Sequence, residues 1–141
     1  MGVRQKREHS LLLEGVRNPR QVLKARLLAE RLFRCDGKVF KAHKCDPPHV
    51  FDLHEALYSR ADLPKSKQAY AFDEHNSLLL CRWFHERYGG TKWLRQKAAE
   101  YLCTLYGDAA IQFYLEQAPL KKPLLLEEIL WAVESEPPIV V

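Results

Sequence analysis

Residues 51–89 read FDLHEALYSRADLPKSKQAYAFDEHNSLLLCRWFHERYG, and their order of turns and apolar runs sets the expected fold. Asp46-Pro47-Pro48 upstream blocks a helix, so Val50–Leu53 predicts a short strand leading into His54-Glu55. Ala61–Asp73 is polar, contains Pro64 and reads as a loop, and Ser77–Leu80 predicts a second strand. Cys81–Tyr88 follows as a helix stopped by Gly89-Gly90. A hairpin running straight into a helix can bring His54 and His85 to one point, and two imidazoles there suit a divalent ion. Asn76, at the return of the loop, is placed to fix the hairpin by bonding backbone groups. A pair of core histidines and an ordinary turn asparagine is the plainer reading of the same residues.

Helices are expected on both sides. Asn18-Pro19 is a helix start, and Arg20–Arg34 carries Val22, Leu23, Leu27, Leu28 and Leu32 near helical spacing, with Asp36-Gly37 as its stop. Thr91 can cap a helix to about Tyr106 with Gly107 behind it. Asp108 can cap another to about Gln117, and Leu124–Val133 predicts a last amphipathic helix. The expected organisation is a basic arm at 1–17, a central domain at 18–123, and an acidic amphipathic helix and tail at 124–141. The fold class is α+β, a small antiparallel hairpin packed with several helices.

The central stretch resembles the HNH (ββα-metal) endonuclease family, in the form common in phage genomes, where the first strand carries His-Glu. The resemblance rests on His54-Glu55-Ala56-Leu57, Ser59-Arg60, Leu63-Pro64-Lys65, Asn76, Leu79-Leu80-Cys81, His85 and Tyr88-Gly89. Tyr106-Gly107 and Pro119-Leu120-Lys121 extend it, so that it spans about residues 42–123. It implies a ββα-metal core and metal-assisted phosphodiester hydrolysis, with His54, Glu55, Asn76 and His85 as the catalytic set. His54 and His85 would hold one Mg²⁺ or Mn²⁺, Asn76 would hold the loop, and Glu55 falls where the general base usually sits. Alternatively, Glu55 is a ligand and His54 the base. Many members also carry a zinc on two Cys-x-x-Cys knuckles. Here Cys45 and Cys81 match one cysteine of each, but their partner positions hold Ala42 and Phe84. A structural zinc is therefore not expected. His43 and His49 are the candidate substitutes; otherwise Cys45 and Cys81 read as small buried residues and Cys35 and Cys103 as structural.

Charge and composition agree with either an enzyme or a binding protein. The 141 residues suit one domain, and the net charge is +4. Residues 1–47 hold twelve Lys/Arg against five acids, whereas Pro123 to the end has four glutamates and no base. A basic front end suits a polyanion such as double-stranded DNA. Arg60, Lys65, Lys67, Arg82 and Arg87 are the residues placed to grip its phosphates, unless they are plain solvated charge. No long apolar span or signal-peptide core is present, so a cytoplasmic location is expected, that of the host cell if the chain is phage-encoded. Eight prolines and only two asparagines suit a thermophilic host. The reading leans to a nuclease. The alternative is a catalytically silent HNH-fold protein that docks on a host protein such as RNA polymerase, by way of Leu124, Leu125, Ile129, Leu130, Trp131 and Val133.

Overall fold

Asn18 caps the first helix, α1 (Pro19–Glu30): its side-chain oxygen accepts the Arg20 N–H at 2.9 Å, and Pro19 takes the first turn, where a missing N–H costs nothing. The structure, a computed structural model, describes residues 18–138; the basic arm at 1–17 and residues 139–141 lie outside the described residues. Leu23 and Leu27 of α1 are buried against Leu53. The helix stops four residues before the expected Arg34. Leu32 and Phe33 turn left-handed (φ 53° and 57°), and the Phe33 N–H reaches back to the Leu28 carbonyl at 2.8 Å. That turn costs about 1–2 kcal/mol per residue. It redirects the chain so that Cys35 and Asp36 run alongside the sheet, and it leaves Leu32 exposed rather than in the core; Val22, within α1, is also exposed.

The sheet has two antiparallel strands, β1 (Asp52–Glu55) and β2 (Ser77–Leu80), with His54 opposite Leu78 and Glu55 opposite Ser77. β1 starts two residues later than expected, because Pro48–Val50 forms a 3-10 turn closed by the Val50 N–H on the Pro47 carbonyl at 3.0 Å. All four β2 residues are buried. The free edge of so buried a strand must find partners. Asp36 supplies one, accepting the Leu79 N–H at 2.7 Å, and Cys35 Sγ accepts the Cys81 N–H at 3.2 Å. Residues 35–36 thus act as a side-chain substitute for a third strand. The connection between the strands, expected as plain loop, contains 3-10 segments at Arg60–Asp62 and Lys65–Ala71.

Four helices follow: α2 (Arg82–Tyr88), α3 (Lys92–Tyr106), α4 (Asp108–Glu116) and α5 (Leu126–Trp131). Thr91 caps α3 by accepting the Leu94 N–H at 3.1 Å. Gly107 separates α3 from α4 with φ 92°, a region that favours glycine, so Asp108 opens α4 rather than capping it. α5 is shorter than predicted; Leu126 and Ile129 seat it on the core, while Trp131 is exposed. Leu78, Leu80, Phe84, Tyr88, Leu94, Leu102 and Ile111 form the centre where hairpin and helices meet. Each such side chain contributes about 1.5–3 kcal/mol on burial. The architecture is mixed helix and a small sheet, and among the described residues no helix is long and apolar enough to cross a membrane.

Candidate metal centre

Three side chains project from the outer part of the hairpin–helix unit. His54 leaves β1, and His85 leaves the middle of α2, one turn beyond its cap at Cys81. Their ring centroids are 5.1 Å apart and edge-on. Asp52, two residues before His54 and so on the same strand face, places Oδ2 3.0 Å from His85 Nδ1. A carboxylate on Nδ1 holds the proton there and leaves Nε2 with its lone pair outward, the arrangement that backs ligating imidazoles. Arg82, one turn before His85, donates to the other Asp52 oxygen at 3.2 Å. Partial burial works to raise the Asp52 carboxyl, but the hydrogen bonds from His85 and Arg82 outweigh it and hold it below its usual value. Gly89 lies against the same ring: a Cβ there would meet His85 Cδ2 at 2.8 Å and the His85 carbonyl at 2.4 Å, so only glycine lets the chain pass.

His54 is pushed down to about 4, first by burial and then by the neighbouring His85 ring. It is therefore a neutral imidazole at neutral pH. The unfolded chain takes up this proton below about 6.5, the folded one only near 4, so stability falls as pH drops through that window. The expected loss is about 3 kcal/mol. His54→Gln removes this acid limb from a plot of melting temperature against pH in magnesium- and manganese-free buffer; an unchanged limb in the variant would assign it to another group.

Glu55 faces away from this pair. Its Oε1 accepts the Arg60 N–H at 3.0 Å and lies 3.2 Å from Arg60 Nε. The carboxylate beside His85 is Asp52, which the sequence reading passed over; alternation on the strand, two residues from His54, was the available signal. Asn76 is fully buried and uses all of its side chain. Oδ1 accepts the Leu57 and Tyr58 N–H groups, both at 2.8 Å, and Nδ2 donates to the Tyr58 and Ala71 carbonyls at 2.8 and 3.0 Å. It thereby ties both ends of the long connection to β2.

The basic residues divide. Arg82 is drawn to the histidine pair through Asp52, and Arg60 to Glu55. Arg87 lies over the Trp83 ring at 4.3 Å. Lys65 and Lys67 stand exposed on the 3-10 segment of the connection.

A second group of donors gathers around Cys81, at the end of β2. Cys35, His43, Cys45 and Cys81 place one ligand atom each within 4.8 Å of one another, the one set of three or more His, Cys, Asp or Glu among the described residues that converges so closely. Phe84, at the vacant knuckle position, is fully buried and packs on His43 with centroids 5.0 Å apart. No protein-family model, no curated protein and no solved structure matches the chain.

Proposed function

We propose that the chain is a phage-encoded, metal-dependent DNA endonuclease of the HNH type, hydrolysing phosphodiester bonds at the His54–His85 pair. The observation that carries this reading is the meeting of those rings, 5.1 Å apart, with Asp52 bonded behind His85. Asp52 orients His85 and fixes its tautomer, so that Nε2 is free to ligate. His54 stands neutral beside it and offers a lone pair without having to lose a proton first. A bound Mg²⁺ or Mn²⁺ would supply polarisation of the scissile phosphate and stabilisation of the leaving oxygen. Arg82, held next to the pair by Asp52, is placed to meet a DNA phosphate. Glu55 serves as proton acceptor only when its contact with Arg60 opens.

Supercoiled plasmid with Mg²⁺ or Mn²⁺ tests this. Wild type should nick or linearise it, His85→Ala and His54→Ala should fall to background, and Asp52→Asn should lose roughly 10- to 100-fold by freeing the His85 ring. Plasmid left intact by folded wild-type protein under every metal condition would overturn the reading.

One observation favours the alternative, a silent HNH-fold protein bound to a host protein such as RNA polymerase: Arg60 neutralises the residue at the base position, Glu55. In that case a single host protein is captured in stoichiometric amount and no plasmid is cut.

A further inference from the structure

The geometry points to a structural zinc site built from Cys35, His43, Cys45 and Cys81. Its ligand set is a Cys3His set, and two of its members come from outside the paired knuckles whose loss argued against zinc. Cys35 replaces one missing thiol from ten residues upstream of Cys45, and His43 replaces the other from the position next to Ala42.

Three distances converge on one atom. His43 Nε2 lies 3.6 Å from Cys35 Sγ, 3.1 Å from Cys45 Sγ and 3.4 Å from Cys81 Sγ. A tetrahedral zinc with Zn–S of about 2.3 Å and Zn–N of about 2.0–2.1 Å sets its sulfur and nitrogen ligands about 3.6 Å apart and its sulfurs about 3.8 Å apart. All of the observed separations lie within about half an ångström of that figure. Hydrogen bonding alone does not account for the arrangement, since a single imidazole lone pair can accept from only one thiol at a time. The histidine is also prepared from behind: Nδ1 stands 2.7 Å from the Lys41 carbonyl, which holds the proton on Nδ1 and turns a bare Nε2 to the sulfurs. Backbone N–H groups point at the sulfurs as well, Cys81 N–H to Cys35 Sγ at 3.2 Å and Phe84 N–H to Cys81 Sγ at 3.5 Å. Such donors stabilise thiolate charge.

The surroundings fit a closed, structural ion. Four protein ligands fill a tetrahedron and leave no position for water or substrate. Trp83 stacks on His43 at 5.3 Å, and Phe84 packs tilted against the same ring at 5.0 Å. The ligands come from three segments: the start of the 3-10 turn at Asp36–Val39, the irregular chain around 41–47, and the cap of α2, where the Trp83 N–H also donates to Asp46 Oδ2 at 2.6 Å. Binding the ion releases the three thiol protons and joins these segments, so its binding free energy adds to folding. Cys81 caps the helix that carries His85, so the ion also steadies that helix. The ion would serve this structural role with or without a nuclease activity.

The test is metal content and cobalt substitution on the whole protein, purified under reducing conditions. Wild type should carry one equivalent of zinc. Replacement by Co²⁺ should give the intense visible bands of tetrahedral thiolate-bound cobalt, and chelation should lower the melting temperature by roughly 10 °C or more. His54→Ala and His85→Ala should keep that equivalent, as should Cys103→Ser, whereas Cys35→Ser and Cys45→Ser should lose it. His43→Cys, which offers a thiol where the imidazole stood, should retain it even if the other variants fold poorly. A reduced wild-type protein with neither zinc nor cobalt uptake would overturn the proposal. So would zinc lost with His54 or His85 and kept without Cys35, or a disulfide among Cys35, Cys45 and Cys81 that persists under those reducing conditions.

Discussion

Asp36→Ala is expected to destabilise the protein by about 3–5 kcal/mol, the range for breaking a buried ion pair by removing one partner. Asp36 is buried and pairs with Arg31, itself nearly buried, through a short Arg31–Asp36 contact. The same carboxylate accepts the Leu79 N–H at 2.7 Å and the Tyr101 hydroxyl at 3.1 Å. Alanine would leave a guanidinium, a strand N–H and a phenol without their partner in the interior. With a domain of this size stabilised by about 5–15 kcal/mol in all, that loss removes a large share. A second substitution separates the charge from the hydrogen bonds. Burial pushes the Asp36 carboxyl up from its usual 3.8, against the pull of Arg31. In Arg31→Met that opposing pull is gone, so the carboxyl should protonate more readily. A raised folded pKa costs stability as pH rises above the unfolded value, so Arg31→Met should lose less at pH 5 than at pH 8. Urea unfolding at the two pH values measures this. An equal loss at both would show that the Asp36 charge is not what Arg31 compensates.

Asn76→Ala is expected to cost about 3–5 kcal/mol as well, by a different route. Four hydrogen bonds with backbone groups disappear at once, and their partners are the Leu57 and Tyr58 N–H groups and the Tyr58 and Ala71 carbonyls. A buried backbone group left unpaired costs about 1–3 kcal/mol, offset in part where water enters. Asn76→Asp makes the argument specific. It keeps the acceptor side and loses the donor side, setting a carboxylate against two carbonyl oxygens, and should be nearly as damaging as alanine. Denaturant unfolding of the two variants, with amide exchange at Leu57 and Tyr58, reads the effect. If Asn76→Asp were close to wild type, the donated bonds would contribute little.

The hairpin followed by a helix was legible because its signals are local. Asn18, Thr91 and Gly107 mark helix ends through chemistry that acts within a few residues, and Ser77–Leu80 is a compact apolar run. The meeting of His54 and His85 followed from that local order. Other features were hidden for a definable reason. The end of α1 depends on a left-handed turn at Leu32 and Phe33, residues with no preference for it, and the turn leads to Asp36, whose partners Leu79 and Tyr101 lie far away in the chain. Asp52 was passed over because its partner lies 33 residues away on another element. Cys35 carries no local signal, because its spacing ties it to no other ligand.

Taken alone, the chain's residues determined where elements start and stop, that a short hairpin feeds a helix, and which two imidazoles that helix and hairpin would offer each other. Tertiary structure decided which carboxylate stands behind His85, that Glu55 turns to Arg60, and that three thiols and His43 surround one point. The physical reason is range. Caps, turns and strand alternation act between neighbours, whereas ligand sets and buried charge pairs depend on side-chain directions from segments as far apart as Cys35 and Cys81, which no spacing encodes.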